Sequence, residues 1–149
     1  TDTTMVETLL ARAACYLDLR EAESCIADCM TALKLSDSIE NRIESDEAKL
    51  LFKKNLLSRL GMAYCLRSEH DKALELFHSV LQLDKNDDDA LQNIRYLKTH
   101  MEVVDLKAKA DSHFSKGSLE EAKKTYTRAE KLGPLHVQVL MNRAQLIII

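Results

Sequence analysis

The sequence has one proline, three glycines and no tryptophan among its 149 residues. So few chain breakers exclude a protein of many short strands and tight turns, and a low-complexity disordered one. An excess of either charge is also missing. The 21 Lys and Arg residues and 24 Asp and Glu residues are interspersed and leave a net charge of −3. That balance lacks the basic footprint of a nucleic-acid or anionic-membrane binder. No run approaches the roughly 18 apolar residues of a membrane span, and the N-terminus does not resemble a signal peptide. The chain opens on Thr1 rather than Met, so the natural protein is expected to extend further.

Catalytic and metal signatures are missing as well. There is no CxxC, no HExxH and no glycine-rich phosphate loop. The acidic run from Asp84 to Asp89 has aspartate where a calcium loop needs glycine, and Arg95 where it needs glutamate, so it reads as a helix cap. His70, His78, His100, His113 and His136 are scattered without a nucleophile partner. These absences predict a protein that is not an enzyme and carries no metal or cofactor.

What is present is helix. Hydrophobic residues make up 46% and charged residues 30% of the chain, the balance of a soluble, mostly helical domain with one substantial core. The stretch around which the rest is organised runs from Leu106 to Pro134. Leu106, Ala110 and Phe114 recur every four residues and make one helical stripe. Gly117 breaks that helix, and Ser118 with Glu121 restarts the chain as a capping box. Ala122, Tyr126 and Ala129 stripe a second helix, which Gly133-Pro134 is expected to end. Antiparallel pairing sets Ala110 against Ala122, with Phe114 and Tyr126 filling the space beside them. A hairpin this short cannot bury its apolar face alone and needs neighbours of the same kind.

Neighbours recur along the chain. Leu140 lies 34 positions after Leu106, with Asn142-Arg143-Ala144 behind it. This period and the wording LKAKADSHFSKGSLEEAKKTYTRAEKLGP resemble the tetratricopeptide repeat (TPR), a helix–turn–helix unit. The resemblance implies an all-α solenoid of three helical hairpins plus a trailing helix, with lengthened junctions. We read the whole of 1–149 as one array segment, cut from a longer protein, with repeats at about 5–37, 46–85 and 88–134 and a partial repeat at 135–149.

The first repeat carries Leu9, Ala13 and Tyr16, then Cys25, Cys29 and Ala32, and it has Arg20 where the third has Gly117. The second carries Leu57, Gly61 and Tyr64, then Ala73, Phe77 and Val80, with Ser68 to Asp71 as the cap between its helices. Ahead of it, Ser45 followed by Asp46 and Glu47 reads as a helix start that lengthens its first helix backwards. From Ala90 to Lys116 there is no Gly or Pro, so one long helix capped by Asp87 to Asp89 is expected. Of the cysteines Cys15, Cys25, Cys29 and Cys65, three fall on apolar stripes and read as free thiols in a reducing cytosol.

Stacked repeats of this family line a concave groove with their first helices, and the groove holds an extended peptide. The resemblance is closest to TPR co-chaperones such as the TPR-containing J-domain proteins. In that branch Lys, Asn and Arg grip the C-terminal carboxylate of heat-shock chaperones. Carried over by position, Lys107 stands at the first clamp lysine and Asp111 replaces the asparagine four residues on. Asn142 matches the clamp asparagine of the next repeat. In the earlier frame Arg59 matches the clamp arginine, Asn55 stands at a lysine position and Ala11 replaces an asparagine. The implied groove is therefore Asn55, Arg59, Met62, Lys107, Asp111 and Asn142.

The expected function is that of a cytoplasmic adaptor holding a protein partner, by a peptide or C-terminal tail of the heat-shock chaperone kind. No nucleic acid or membrane insertion is expected. The alternative is an architectural subunit of a trafficking or ciliary assembly, docking through its ends or convex face. The apolar C-terminal residues Ile147 to Ile149 add an expectation of self-association.

Overall fold

The computed structural model describes the backbone of residues 2–39 and 45–146, and the side chains of 4–38 and 45–132. Six α-helices account for nearly all of it: α1 (Asp2–Asp18), α2 (Ala22–Ile39), α3 (Asp46–Leu66), α4 (His70–Leu83), α5 (Asp88–Ser115) and α6 (Leu119–Leu146). No strand occurs among the described residues. The helices group into two compact units, one within Thr1–Leu91 and the other within Gln92–Arg143.

The three hairpin turns share one backbone geometry. Arg20 (φ 62°), Ser68 (φ 61°) and Gly117 (φ 80°) all adopt the left-handed conformation just past a helix end. Around each, two amides reach back in the same way. The Glu21, Glu69 and Ser118 N–H groups donate to the Tyr16, Tyr64 and His113 carbonyls at 2.8–2.9 Å. The Arg20, Ser68 and Gly117 N–H groups donate to Leu17, Cys65 and Phe114 at 3.0–3.1 Å. This paired closure satisfies carbonyls that a helix end would leave open, and it favours glycine at the left-handed position. Only the third turn has that glycine. Ser68 therefore serves as the turn residue rather than as part of a cap. Glu69 takes the N-cap position of α4 without a side-chain capping bond, its carboxylate bonding Lys72 and Arg67 instead.

Small residues at helical spacing let the paired helices approach. In the first unit Val6, Leu10, Ala13 and Leu17 of α1 are buried along with Cys25, Cys29 and Ala32 of α2. Leu56, Leu60 and Ala63 of α3 are buried along with Ala73, Phe77 and Val80 of α4. Gly61 marks the closest approach: a Cβ there would stand 2.8 Å from Cε1 of Phe77. In the second unit the interior includes Leu106 and Ala110 of α5 and Ala122 and Ala129 of α6.

The long elements follow their caps. The Ser45 side chain accepts from the Ala48 amide at 3.0 Å, and Asp46 and Glu47 occupy the first turn of α3, as the sequence predicts. Asp87 likewise accepts from Ala90 at 2.8 Å to start α5, a helix of 28 residues. At 1.5 Å per residue α5 is about 42 Å long.

Two expectations require correction. Gly133-Pro134 does not end the helix, since α6 runs on to Leu146. One proline removes a single backbone bond at a cost of about 3 kcal/mol, and helix-compatible sequence on both sides carries the helix across. The expected trailing helix is thus a continuation of α6. Phe114 and Tyr126, expected to fill space beside Ala110 and Ala122, are instead 63% and 36% exposed.

Candidate functional site

The predicted groove residues divide between the two units. In the first, α1 and α3 border an open cleft of about 330 Å³. Glu7, Leu10 and Ala11 come from α1, and Leu51, Phe52, Asn55 and Arg59 from α3, with Ala48 at the near end. Ala48, Leu51 and Phe52 lie in the first two turns of α3, the helix that Ser45 caps. Leu51 is 59% exposed, a large apolar side chain open to solvent at the cleft.

Asn55 is exposed at the cleft and Arg59 is half-buried. The Arg59 guanidinium crosses to α1, where Nη1 donates to the Leu10 carbonyl at 3.2 Å. Met62, the third predicted member, does not line the cleft. It is 1% exposed and packs in the core. It is buried in α3 along with Leu56, Leu60, Gly61 and Ala63.

Two other cations of this unit, Lys54 and Arg12, are committed to structural contacts. Lys54 bonds both Asp84 (2.9 Å) and Asp87 (2.7 Å) at the start of the α4–α5 connection. Those bonds, to Asp87 first and Asp84 second, raise its pKa, and Lys54 in turn lowers that of Asp84. Arg12 forks onto Asp28 with Nε and Nη2 both at 2.7 Å, tying α1 to α2, and its guanidinium is 5.8 Å from the Tyr16 ring centroid. Hydrogen bonding to Asp28 raises the Arg12 pKa still further.

The thiols are structural. Cys25 and Cys29 are fully buried, one turn apart, in the positions that Ala73 and Phe77 take in the second hairpin. The hydrogen bond they share raises the pKa of Cys29 and lowers that of Cys25. Burial alone pushes Cys65 up to about 12. All four cysteines are free. No cluster of three metal-ligating side chains occurs among the described residues.

In the second unit Lys107 and Asp111 are exposed one turn apart on α5, hence on one face. Asp111 accepts a short hydrogen bond from the Tyr126 hydroxyl of α6, which raises the tyrosine pKa. Its carboxylate is thus a brace between helices as well as a surface charge. Asn142 lies outside the residues whose side chains are described. The structure therefore brings Asn55 and Arg59 to one cleft of the first unit, and places Lys107 and Asp111 on α5 of the second.

Sequence reasoning missed two features. The apolar cleft walls Leu10, Leu51 and Phe52 were hidden because the implied groove was drawn from the clamp positions of the resemblance, which do not include them. The basic face of α6, where Lys123, Lys124, Arg128 and Lys131 lie beside Glu120 and Thr127, was legible as bases three, four and seven or eight residues apart. Beside it lies an apolar patch of Phe114, Leu119, Ala122 and Tyr126.

This architecture of helical hairpins, closed by repeated left-handed turns and packed through small residues, is that of a repeat protein. Residues 108–134 match the family model of the tetratricopeptide repeat. The chain is similar to Hsp70-Hsp90 organizing protein 1 of Glycine max, 27% identical over 147 residues, covering 91% of this chain and 25% of that protein. It thus spans about a quarter of that relative's length. No solved structure matches. The chain is all-α, and residues 108–134 carry a tetratricopeptide repeat, a unit whose presence is consistent with a protein–protein interaction module. No described helix is long and apolar enough to cross a membrane.

Proposed function

We propose that this chain is a non-catalytic adaptor that holds a segment of a protein partner in the cleft between α1 and α3. The observation that carries this reading is the cleft itself. Exposed Leu51 and half-buried Phe52 stand across from Leu10, while Asn55 offers an amide that can pair with a partner's backbone. Apolar surface left in a concave site gains free energy when a partner covers it, and hydrogen-bonding groups at its edge set the register. The surrounding architecture is one repeat array over 5–37, 46–85, 88–134 and a partial repeat from 135. Lys107, Asp111 and Asn142 are proposed separately, as partner contacts of the later repeats in their own right. The partner class is suggested by the relative's name: a chaperone of the Hsp70 or Hsp90 type, met in the cytoplasm.

Calorimetric titration of the protein with purified Hsp70- and Hsp90-type chaperones tests the reading. Binding that is lost in Leu51→Asp and weakened in Asn55→Ala supports it. Binding that survives Leu51→Asp refutes the cleft as the site.

A second reading has its own observation. Phe114 and Leu119, 63% and 60% exposed, form an apolar patch on the third hairpin that suits an architectural subunit or a self-associating one. In that case Phe114→Asp abolishes assembly and Leu51→Asp spares it.

A further inference from the structure

The chemistry of the cleft also defines what kind of segment enters it. We infer that the α1/α3 cleft selects an internal, extended peptide segment with an aliphatic or aromatic anchor and a neutral-to-basic flank, and requires no free C-terminal carboxylate. This inference rests on the cleft being the binding site and goes on to name its ligand.

The first support is the state of the nearby cations. Lys54, on the same helix, is turned away from the cleft by its two bonds to Asp84 and Asp87 at 2.9 and 2.7 Å. Arg12 is held by the fork on Asp28. Arg59 does reach the cleft, but its guanidinium is half-buried and one arm is bonded to the Leu10 carbonyl at 3.2 Å. Gripping a terminal carboxylate takes convergent, available donors, and a lone tethered guanidinium presents too few.

The second support is the wall charge. Glu7 lines the cleft from α1 and is exposed, so a carboxylate entering here meets a carboxylate. Where an amide donor would complete a grip, α1 has the methyl of Ala11. The chain's net charge of −3 opposes an acidic ligand in the same direction, and charge complementarity favours a neutral or basic one.

The third support is the shape of what remains. Leu10, Leu51 and Phe52 make an apolar seat, and Asn55 stands beside it as a combined donor and acceptor. An apolar seat with an amide at its edge fits one buried side chain on a hydrogen-bonded extended backbone. Leu51 and Phe52 of α3 supply most of that seat.

The test selects binders for the whole protein from two random peptide libraries. One library is displayed with both ends joined to carrier, the other with a free C-terminus. The expected result is recovery from the internal library of peptides with an aliphatic or aromatic position and a Lys or Arg beside it. These should bind about tenfold or more weakly to Leu51→Asp, as the loss of a buried side-chain contact requires. Glu7→Gln should relax the preference for the basic flank while keeping the apolar anchor. Circular dichroism of each variant separates lost contacts from lost folding.

Cleft binders drawn solely from the free-terminus library, acidic and abolished by amidation, overturn the inference but leave the cleft standing as the site. Binders from either library that ignore Leu51→Asp, or no binders at all, overturn the cleft reading and this inference with it.

Discussion

The second and third hairpins turn on the same backbone geometry yet fill the space between their helices differently. Counting along the chain, Gly61 and Phe77 of the second correspond to Ala110 and Tyr126 of the third. Phe77 is fully buried because Gly61 has no Cβ: the ring occupies that room, with Cε1 2.8 Å from where the Cβ would stand. Ala110 fills the same room with its methyl group, and Tyr126 remains 36% exposed with its hydroxyl on Asp111. The first hairpin gives a third solution, in which Ala13 stands opposite the small thiol of Cys29 and both are fully buried. The contrast shows that ring and glycine act as a pair. A large side chain on the second helix is accommodated in the interior only where the first helix gives up its Cβ.

The largest expected effects break that pairing. Phe77→Ala removes a fully buried ring and should destabilise the first unit by about 3–5 kcal/mol. Tyr126→Ala, at the corresponding exposed position, should cost about 1 kcal/mol or less, chiefly the bond to Asp111. Gly61→Ala forces the Phe77 ring to shift and should cost about 1–3 kcal/mol. Urea denaturation followed by circular dichroism measures all three. Equal losses for Phe77→Ala and Tyr126→Ala would show that the two hairpins are filled alike and defeat the comparison.

The turns allow a sharper test, because here the third hairpin is the better formed. Arg20 and Ser68 hold left-handed φ values that L-residues adopt at a cost of about 1–2 kcal/mol, whereas Gly117 is free of that cost. Glycine's greater entropy in the unfolded chain offsets part of that relief, so Ser68→Gly and Arg20→Gly should each stabilise by a net amount of about 0.5–1 kcal/mol. Gly117→Ala should destabilise by about 1 kcal/mol although nothing lies within 4 Å of the added methyl. Thermal melts of the three variants decide the point, and destabilisation by Ser68→Gly would refute the strain argument.

The same contrast explains what could be read in the sequence. Small-residue spacing marked all three hairpins because close helix packing demands it, and the starts of α3 and α5 were visible in Ser45 and Asp87. The turn at Ser68 was misread as a cap because its left-handed residue is not glycine, which hides the geometry. Pro134 pointed to a break that the surrounding helix spans. At the site, Asn55 and Arg59 were legible from their repeat positions, while Met62 is buried in the core. Leu51 and Phe52 are not among the positions that the resemblance marks, so the apolar seat they make with Leu10 shows only once α1 and α3 have packed. Charge pairing was the least legible, because Lys54 meets Asp84 and Asp87 only after α3 and α4 have packed.

That pairing sets the smallest effect, and one confined to the first unit. The Lys54 bonds to Asp87 and Asp84 raise its pKa above the ordinary 10.5, and the Lys54 bond lowers that of Asp84 below the ordinary 3.8. A raised lysine adds stability that is complete below 10.5 and disappears as pH rises through the higher folded value. A lowered aspartate adds stability that is complete above 3.8 and disappears as pH falls through the lower folded value. Lys54→Gln should therefore be less stable than the wild type by a constant amount across the neutral range. The gap should narrow on the acid side as Asp84 protonates and on the alkaline side as the wild-type lysine loses its charge. Urea midpoints of both proteins across pH measure the gap. Because all three groups are partly exposed to solvent, added salt should shrink it as well. A gap that holds constant into acid, or widens there, would mean that Lys54 stabilises the connection by packing rather than through its two carboxylates.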